Sequence, residues 1–213
     1  MKLFLNGIPL SDVPTGAATL EETLRAVQAT HCRPRHLVIG VRCDGRDIPA
    51  NEMNSFLLRP PLDVEKLEVF SSTKEQLVLS AMNNAANCLQ ESEQACRRVA
   101  DMLNEGRTTE ATASLGECLR VWQQIHDAVG KSIQMLEIDP EQIAINDEPF
   151  LAVIGKPKEV LLQIKQALKN QDHVLLADLL QFEFGEVTDQ WFSVIARIRQ
   201  EAEEASQAAG DAI

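Results

Sequence analysis

The 213-residue sequence predicts an α+β protein, in which a small sheet module precedes a mainly antiparallel α-helical bundle with long helices. Before Ser72, apolar residues recur at every second position, which is typical of strands with one buried face. After Ser72 they recur at every third or fourth position, and neither Pro nor Gly interrupts the chain up to Asn104. The predicted domains are therefore residues 1–71 and 72–213.

The chain begins with a predicted hairpin over residues 2–6 and 8–13, because the Asn-Gly pair between them is a favoured two-residue turn. A helix is expected next. Thr19 is placed to cap its free backbone amides, and Glu22, three residues later, completes a capping box.

A second hairpin is predicted over residues 37–43 and 46–49, joined by an Asp-Gly turn. The segment "NEMNSFL" (51–57) predicts a short helical piece. A last strand is expected over residues 65–71, "EKLEVFS". The order of this third of the chain is thus strand, strand, helix, strand, strand, short helix, strand.

This order resembles the β-grasp fold of ubiquitin and is most similar to the small bacterial sulfur carriers. The similar segments are "MKLFLNG", "ATLEETLRAV", "VIGVRCDGRDIP" and "DVEKLEVF". The resemblance covers about residues 1–71 and implies a ubiquitin-like module. Carriers of that family depend on a free C-terminal Gly-Gly, and no Gly-Gly pair occurs in this sequence. The resemblance therefore implies a docking or scaffold module.

Four amphipathic helices with short links are predicted after residue 72, at about 73–104, 108–137, 158–170 and 173–205, which makes a bundle the expected arrangement. Residues 138–157 show no clear pattern and are assigned no function. In the fourth helix, "DHVLLADLLQFEF" resembles uncharacterised bacterial helical proteins. That helix is expected to bury Leu175, Leu179, Phe182, Val187, Trp191, Val194, Ile195 and Ile198.

No motif predicts catalysis, a cofactor or a metal. "GKS" (130–132) lacks the preceding glycine and strand of a phosphate-binding loop, so Gly130 is expected to let a neighbouring helix approach closely. "HCRPRH" (31–36) contains zinc-type ligands, but their spacing matches no standard site and the arginines would repel a cation. Contacts with the acidic bundle or with a partner protein are instead predicted to involve Arg33 and Arg35 of this segment, together with Arg46.

Composition narrows the classes of function. The net charge of −12 opposes binding to nucleic acid or to an anionic membrane, and nearly all of it lies after residue 72. Five cysteines without paired spacing suit reduced thiols in the cytoplasm. No stretch is apolar enough to span a membrane, and no secretory signal is recognisable.

The predicted function is a non-enzymatic interaction protein: an adaptor, scaffold or chaperone-like protein that binds protein partners. A long apolar helical stripe favours a homodimer. Two alternatives stay open. One is an enzyme, or an enzyme component, with a site between the domains; its candidate residues are His31, His36, Asp44 and Arg46. The other is a degenerate sulfur-carrier relative that still docks an activating enzyme.

Overall fold

The computed structural model describes residues 1–11, 16–33 and 35–210, and the chain divides into two units, Met1–Leu77 and Val78–Ile213. The division lies six residues after the expected boundary. It falls inside the first long helix, α3, which begins at Lys74. The α+β class is confirmed, because strands of a mixed sheet precede a helical region.

A five-stranded mixed sheet forms the first unit. Its strands are β1 (Lys2–Leu5), β2 (Ile8–Pro9), β3 (Leu37–Cys43), β4 (Arg46–Asp47) and β5 (Lys66–Ser72), in the order β2-β1-β5-β3-β4. The central strands β1 and β5 are parallel, and the other pairs are antiparallel. Both predicted hairpins are present with shorter second strands. Asp12 and Val13, part of the first prediction, lie outside the described residues.

Helices α1 (Leu20–Thr30) and α2 (Ala50–Leu57) accompany this sheet, together with a 3₁₀ turn at Pro61–Asp63. The Thr19 cap is confirmed, since its hydroxyl accepts from the Glu22 amide at 3.3 Å. The Glu22 carboxylate accepts from the Ala18 amide at 2.7 Å, one residue earlier than a capping box requires. The core of this unit consists of Leu3, Leu20, Val27, Val41, Cys43, Phe56, Val64, Leu67 and Val69.

Long helices form the second unit. Helix α3 (Lys74–Asn104) ends before Gly106, whose φ of +78° is a conformation that glycine adopts without strain. Helix α4 (Thr108–Leu136) follows at once. The predicted stripe of α3 is buried in the core of this unit: Val78, Met82, Ala85, Leu89, Cys96, Val99 and Leu103. "GKS" lies within α4, and a Cβ at Gly130 would meet nothing within 4 Å, so the predicted close helix approach is wrong.

The segment after α4 contains a small hairpin, β6 (Ala144–Ile145) and β7 (Glu148–Pro149). Helix α5 (Phe150–Asn170) starts eight residues earlier than predicted and includes Pro157. The buried side chains of Phe150 and Val153 hold this first part against the core, which outweighs the helix-breaking tendency of proline.

The predicted fourth helix has three parts: α6 (His173–Asp178), a π-helical turn (Leu179–Glu183) and α7 (Phe184–Gly210). In the π turn the Phe184 amide donates to the Leu179 carbonyl, five residues back. The wider turn changes which residues face the core. Leu175 and Phe182, predicted to be buried, are 44% and 61% exposed, and Phe184 is buried instead.

Candidate functional site

The candidate site is an open groove of about 490 Å³ between α4 and α5, within the second unit. It is predominantly apolar. Helix α4 contributes four residues over two turns: Leu119, Trp122, Gln123 and His126. Helix α5 contributes six over three turns: Ile154, Pro157, Lys158, Leu161, Leu162 and Lys165. The groove therefore follows the axes of two helices.

A cluster of aromatic rings underlies the groove. Trp122 is 3% exposed, and its ring centroid lies 4.9 Å from that of Phe184 and 5.4 Å from that of Trp191, both in edge-on geometry. The His126 ring lies 5.7 Å from Trp191. Such contacts between large buried rings fix their orientation. The α4 wall is therefore preorganised by the core beneath it.

The α5 side of the groove is cationic. Lys158 and Lys165 are exposed, and neither forms an ion pair with a described residue. No carboxylate belongs to the part of the groove wall that the structure describes. Leu162, between the two lysines, is 57% exposed. This wall is therefore positively charged, although the whole chain has a net charge of −12.

A second, smaller groove of about 390 Å³ lies between α3 and α4 and includes Cys88 and Cys118. Interaction with the Cys118 side chain, together with burial, raises the pKa of the Cys96 thiol. A raised pKa keeps a thiol protonated and unreactive. All five cysteines are free, and Cys96 packs as a small apolar residue.

Three of the "HCRPRH" residues line a cleft of about 420 Å³ in the first unit: His31, Arg33 and His36. Pro34 lies outside the described residues. Asn6 and Ser71 also line this cleft and exchange hydrogen bonds: the Ser71 amide donates to Asn6 Oδ1 (2.8 Å), and Asn6 Nδ2 donates to Ser71 Oγ (3.1 Å). His36 Nδ1 lies 3.3 Å from the same Oγ.

The remaining predicted residues have structural partners in the first unit. Arg35 forms an ion pair with the buried Glu75 at 2.8 Å, and Arg46 pairs with the half-buried Glu52 at 2.9 Å. Asp44 accepts from the Lys66 amide at 2.7 Å across the sheet end. The role of Arg33, Arg35 and Arg46 in interdomain or partner contacts stays a prediction.

Residues 1–11, 16–33 and 35–210 contain neither a metal-binding cluster nor a membrane-spanning helix. Within these ranges, His, Cys, Asp and Glu side chains nowhere gather in a group of three or more that could hold a metal ion. Likewise, none of the helices described there is both long and apolar enough to cross a membrane.

Sequence reasoning missed the groove residues, above all Lys158, Leu162 and Lys165. One signal was available. Leu161 and Leu162 are adjacent in a helix whose stripe already contains Val160 and Ile164, so the apolar surface is wider than one core-facing stripe requires.

Comparison with known proteins divides the chain in the same way. Residues 1–73 match the TP0873 N-terminal domain, and residues 80–194 match a domain of unknown function, DUF8042. No curated protein and no solved structure matches the chain. Since the second match covers more than half of the 213 residues and contains both walls of the groove, the chain belongs to the DUF8042 family.

Proposed function

We propose that this protein is a non-enzymatic interaction protein, and that the groove between α4 and α5 receives a helix of a partner protein. The observation that carries the proposal is the shape of the groove. From Ile154 to Lys165 it follows α5 for about 16 Å, the length of three helical turns. An amphipathic helix laid into such a groove would bury its apolar face on Leu161 and Leu162.

Exposed apolar surface supports the same proposal. Leu162 is more than half exposed at the groove, and a leucine of this exposure contributes to binding once a partner covers it. Trp122 is 3% exposed and belongs to the buried floor of the groove, so the more accessible Leu161 and Leu162 supply the apolar surface that a partner would cover.

Affinity purification from the native cell, with quantitative mass spectrometry, tests this function. The bait is the full chain in three forms: wild type, Leu162→Arg and Leu151→Arg. Leu151 is the matched control, because it lies on α5 with 51% exposure and does not line the groove. We expect a partner recovered with wild type and Leu151→Arg but lost with Leu162→Arg. Identical recovery with all three baits would refute the proposal.

We further infer that the first unit is a β-grasp module used for docking or scaffolding. The strand order β2-β1-β5-β3-β4, with a parallel central pair, supports this inference, as does α1 between β2 and β3. A β-grasp fold alone carries no activity. The role that we assign to the module is therefore a surface for contacts.

Cytoplasmic location and self-association belong to the same proposal. Five free cysteines suit a reducing compartment. The α3 stripe on which a dimer was predicted is buried within its own unit, so a dimer needs another surface. Exposed apolar residues on the α6 and π segment supply one: Val174, Leu175 and Phe182.

A further inference from the structure

We propose that the partner helix is acidic on one flank, with two carboxylates spaced about two turns apart that contact Lys158 and Lys165. This inference rests on the proposed function of the α4–α5 groove and specifies the chemistry of its partner. The occupant is thus an amphipathic helix with an apolar face and one acidic edge.

The spacing of the two lysines sets the spacing of the carboxylates. Lys158 and Lys165 are seven residues apart on α5, so they lie on nearly the same face and are separated by about 10 Å along the axis. In a partner helix that packs along α5, side chains on one face also recur about every seven residues. Acidic residues seven positions apart on its flank would face both ammonium groups.

The two sides of the groove differ in charge, and this difference determines which flank of the partner helix carries the carboxylates. The α4 side offers Gln123 and His126, whereas the α5 side carries both lysines. An acidic residue on the α5 flank meets an ammonium group, while one on the α4 flank meets the Gln123 amide or the His126 imidazole. The charge pattern therefore favours a partner whose carboxylates lie on a single edge.

Both lysines are available to such a partner. Neither is paired with a carboxylate among the described residues, whereas Lys156 on the same helix is paired with Glu148 at 2.6 Å. Elsewhere in the chain negative charge predominates, so the groove is a local site of attraction for an acidic segment.

Selection from a displayed peptide library tests the inference. Helical peptides of about four turns carry leucines along one face, and their flanking positions vary among Glu, Gln and Lys. The wild-type full chain selects binders, and the Leu162→Arg variant removes those that bind elsewhere. We expect the surviving peptides to carry Glu at two flanking positions seven residues apart.

Affinity measurements then use the best selected peptide. We expect the Lys158→Glu/Lys165→Glu double variant to bind it about tenfold more weakly at low salt, because two exposed attractions become repulsions. A Lys158→Gln/Lys165→Gln variant should lose less. Lys131→Glu is the matched control, since Lys131 is an exposed α4 lysine outside the groove. The same peptide with Lys in place of its flanking Glu should recover binding to the double Glu variant.

The outcomes separate the two proposals. Groove-dependent peptides with Gln or Lys on their flanks, or equal affinity for wild type and the double variant, would overturn the acidic partner while the interaction function stands. Failure to select any groove-dependent helix would overturn both.

Discussion

At the scale of single residues, the ion pair between Arg35 and Glu75 links the residue two positions before β3 to the start of α3. Glu75 is 2% exposed, and the Arg35 guanidinium lies 2.8 Å from its carboxylate. A buried carboxylate without a cation or hydrogen-bond donor is costly, because it has lost its water. The arginine that was predicted for docking therefore has a stabilising contact within its own unit.

Arg35→Ala should lower the stability of the first unit by about 1–3 kcal/mol, since it leaves Glu75 buried without this partner. Arg46→Ala is the control, because both side chains of its pair with Glu52 are accessible to solvent, and its loss should cost at most about 1 kcal/mol. Hydrogen exchange of the β3 and β5 amides, followed by mass spectrometry, measures both. Equal exchange rates in the two variants would contradict the explanation.

At the scale of elements, the π turn at Leu179–Glu183 decides which side of the last helical region faces the core. An uninterrupted α-helix would bring Phe182 near the face of Leu179. The five-residue repeat of the π turn brings Phe184 there instead, where its ring packs on Trp122. The π turn therefore leaves Phe182 at the surface and places Phe184 in the core.

Alanine substitution of Phe182 and of Phe184 distinguishes a π turn from an uninterrupted α-helix. Phe184→Ala should cost about 3–5 kcal/mol, because it removes a buried ring. Phe182→Ala should change the free energy of unfolding by no more than about 0.5 kcal/mol. Urea unfolding at submicromolar concentration, followed by tryptophan fluorescence, gives both values. The reverse order would show that the helix is regular.

The elements predicted from sequence are those whose signals are local. The Thr19 cap and the Asp-Gly turn at 44–45 depend on a few neighbouring residues, and both are present. The start of α5 and the exposure of Phe182 depend on packing between distant segments, which periodicity does not encode. The hairpin of β6 and β7 has two residues in each strand, too few for alternation to be visible.

The groove was beyond sequence reasoning for the same reason. Lys158 and Lys165 look like ordinary surface lysines of an amphipathic helix. They line a groove only because α4 places Trp122 and Leu119 beside them. That juxtaposition follows from tertiary packing.

At the scale of the whole molecule, negative charge and exposed apolar residues have opposite effects on self-association. A net charge of −12 opposes association of identical copies through their mutual repulsion. Val174, Leu175 and Phe182 favour it, since covering them removes apolar surface from water. The oligomeric state reports which effect is larger.

We expect a dimer in sedimentation velocity at tens of micromolar in physiological salt, which screens the repulsion. A Leu175→Glu/Phe182→Glu variant should sediment as a monomer under the same conditions, because it places carboxylates in the proposed contact. Leu151→Glu serves as the control for an exposed leucine elsewhere in the second unit. A monomeric wild type would contradict the dimer.

The packing of Trp122 on Trp191 has a spectroscopic consequence. The chain contains two tryptophans and no tyrosine, and both indoles lie in the second unit with centroids 5.4 Å apart. Fluorescence excited in the indole band therefore originates entirely from the second unit, and the sheet of the first unit does not contribute to it. Because one indole forms part of the groove wall, occupation of the groove should shift this emission without any attached dye.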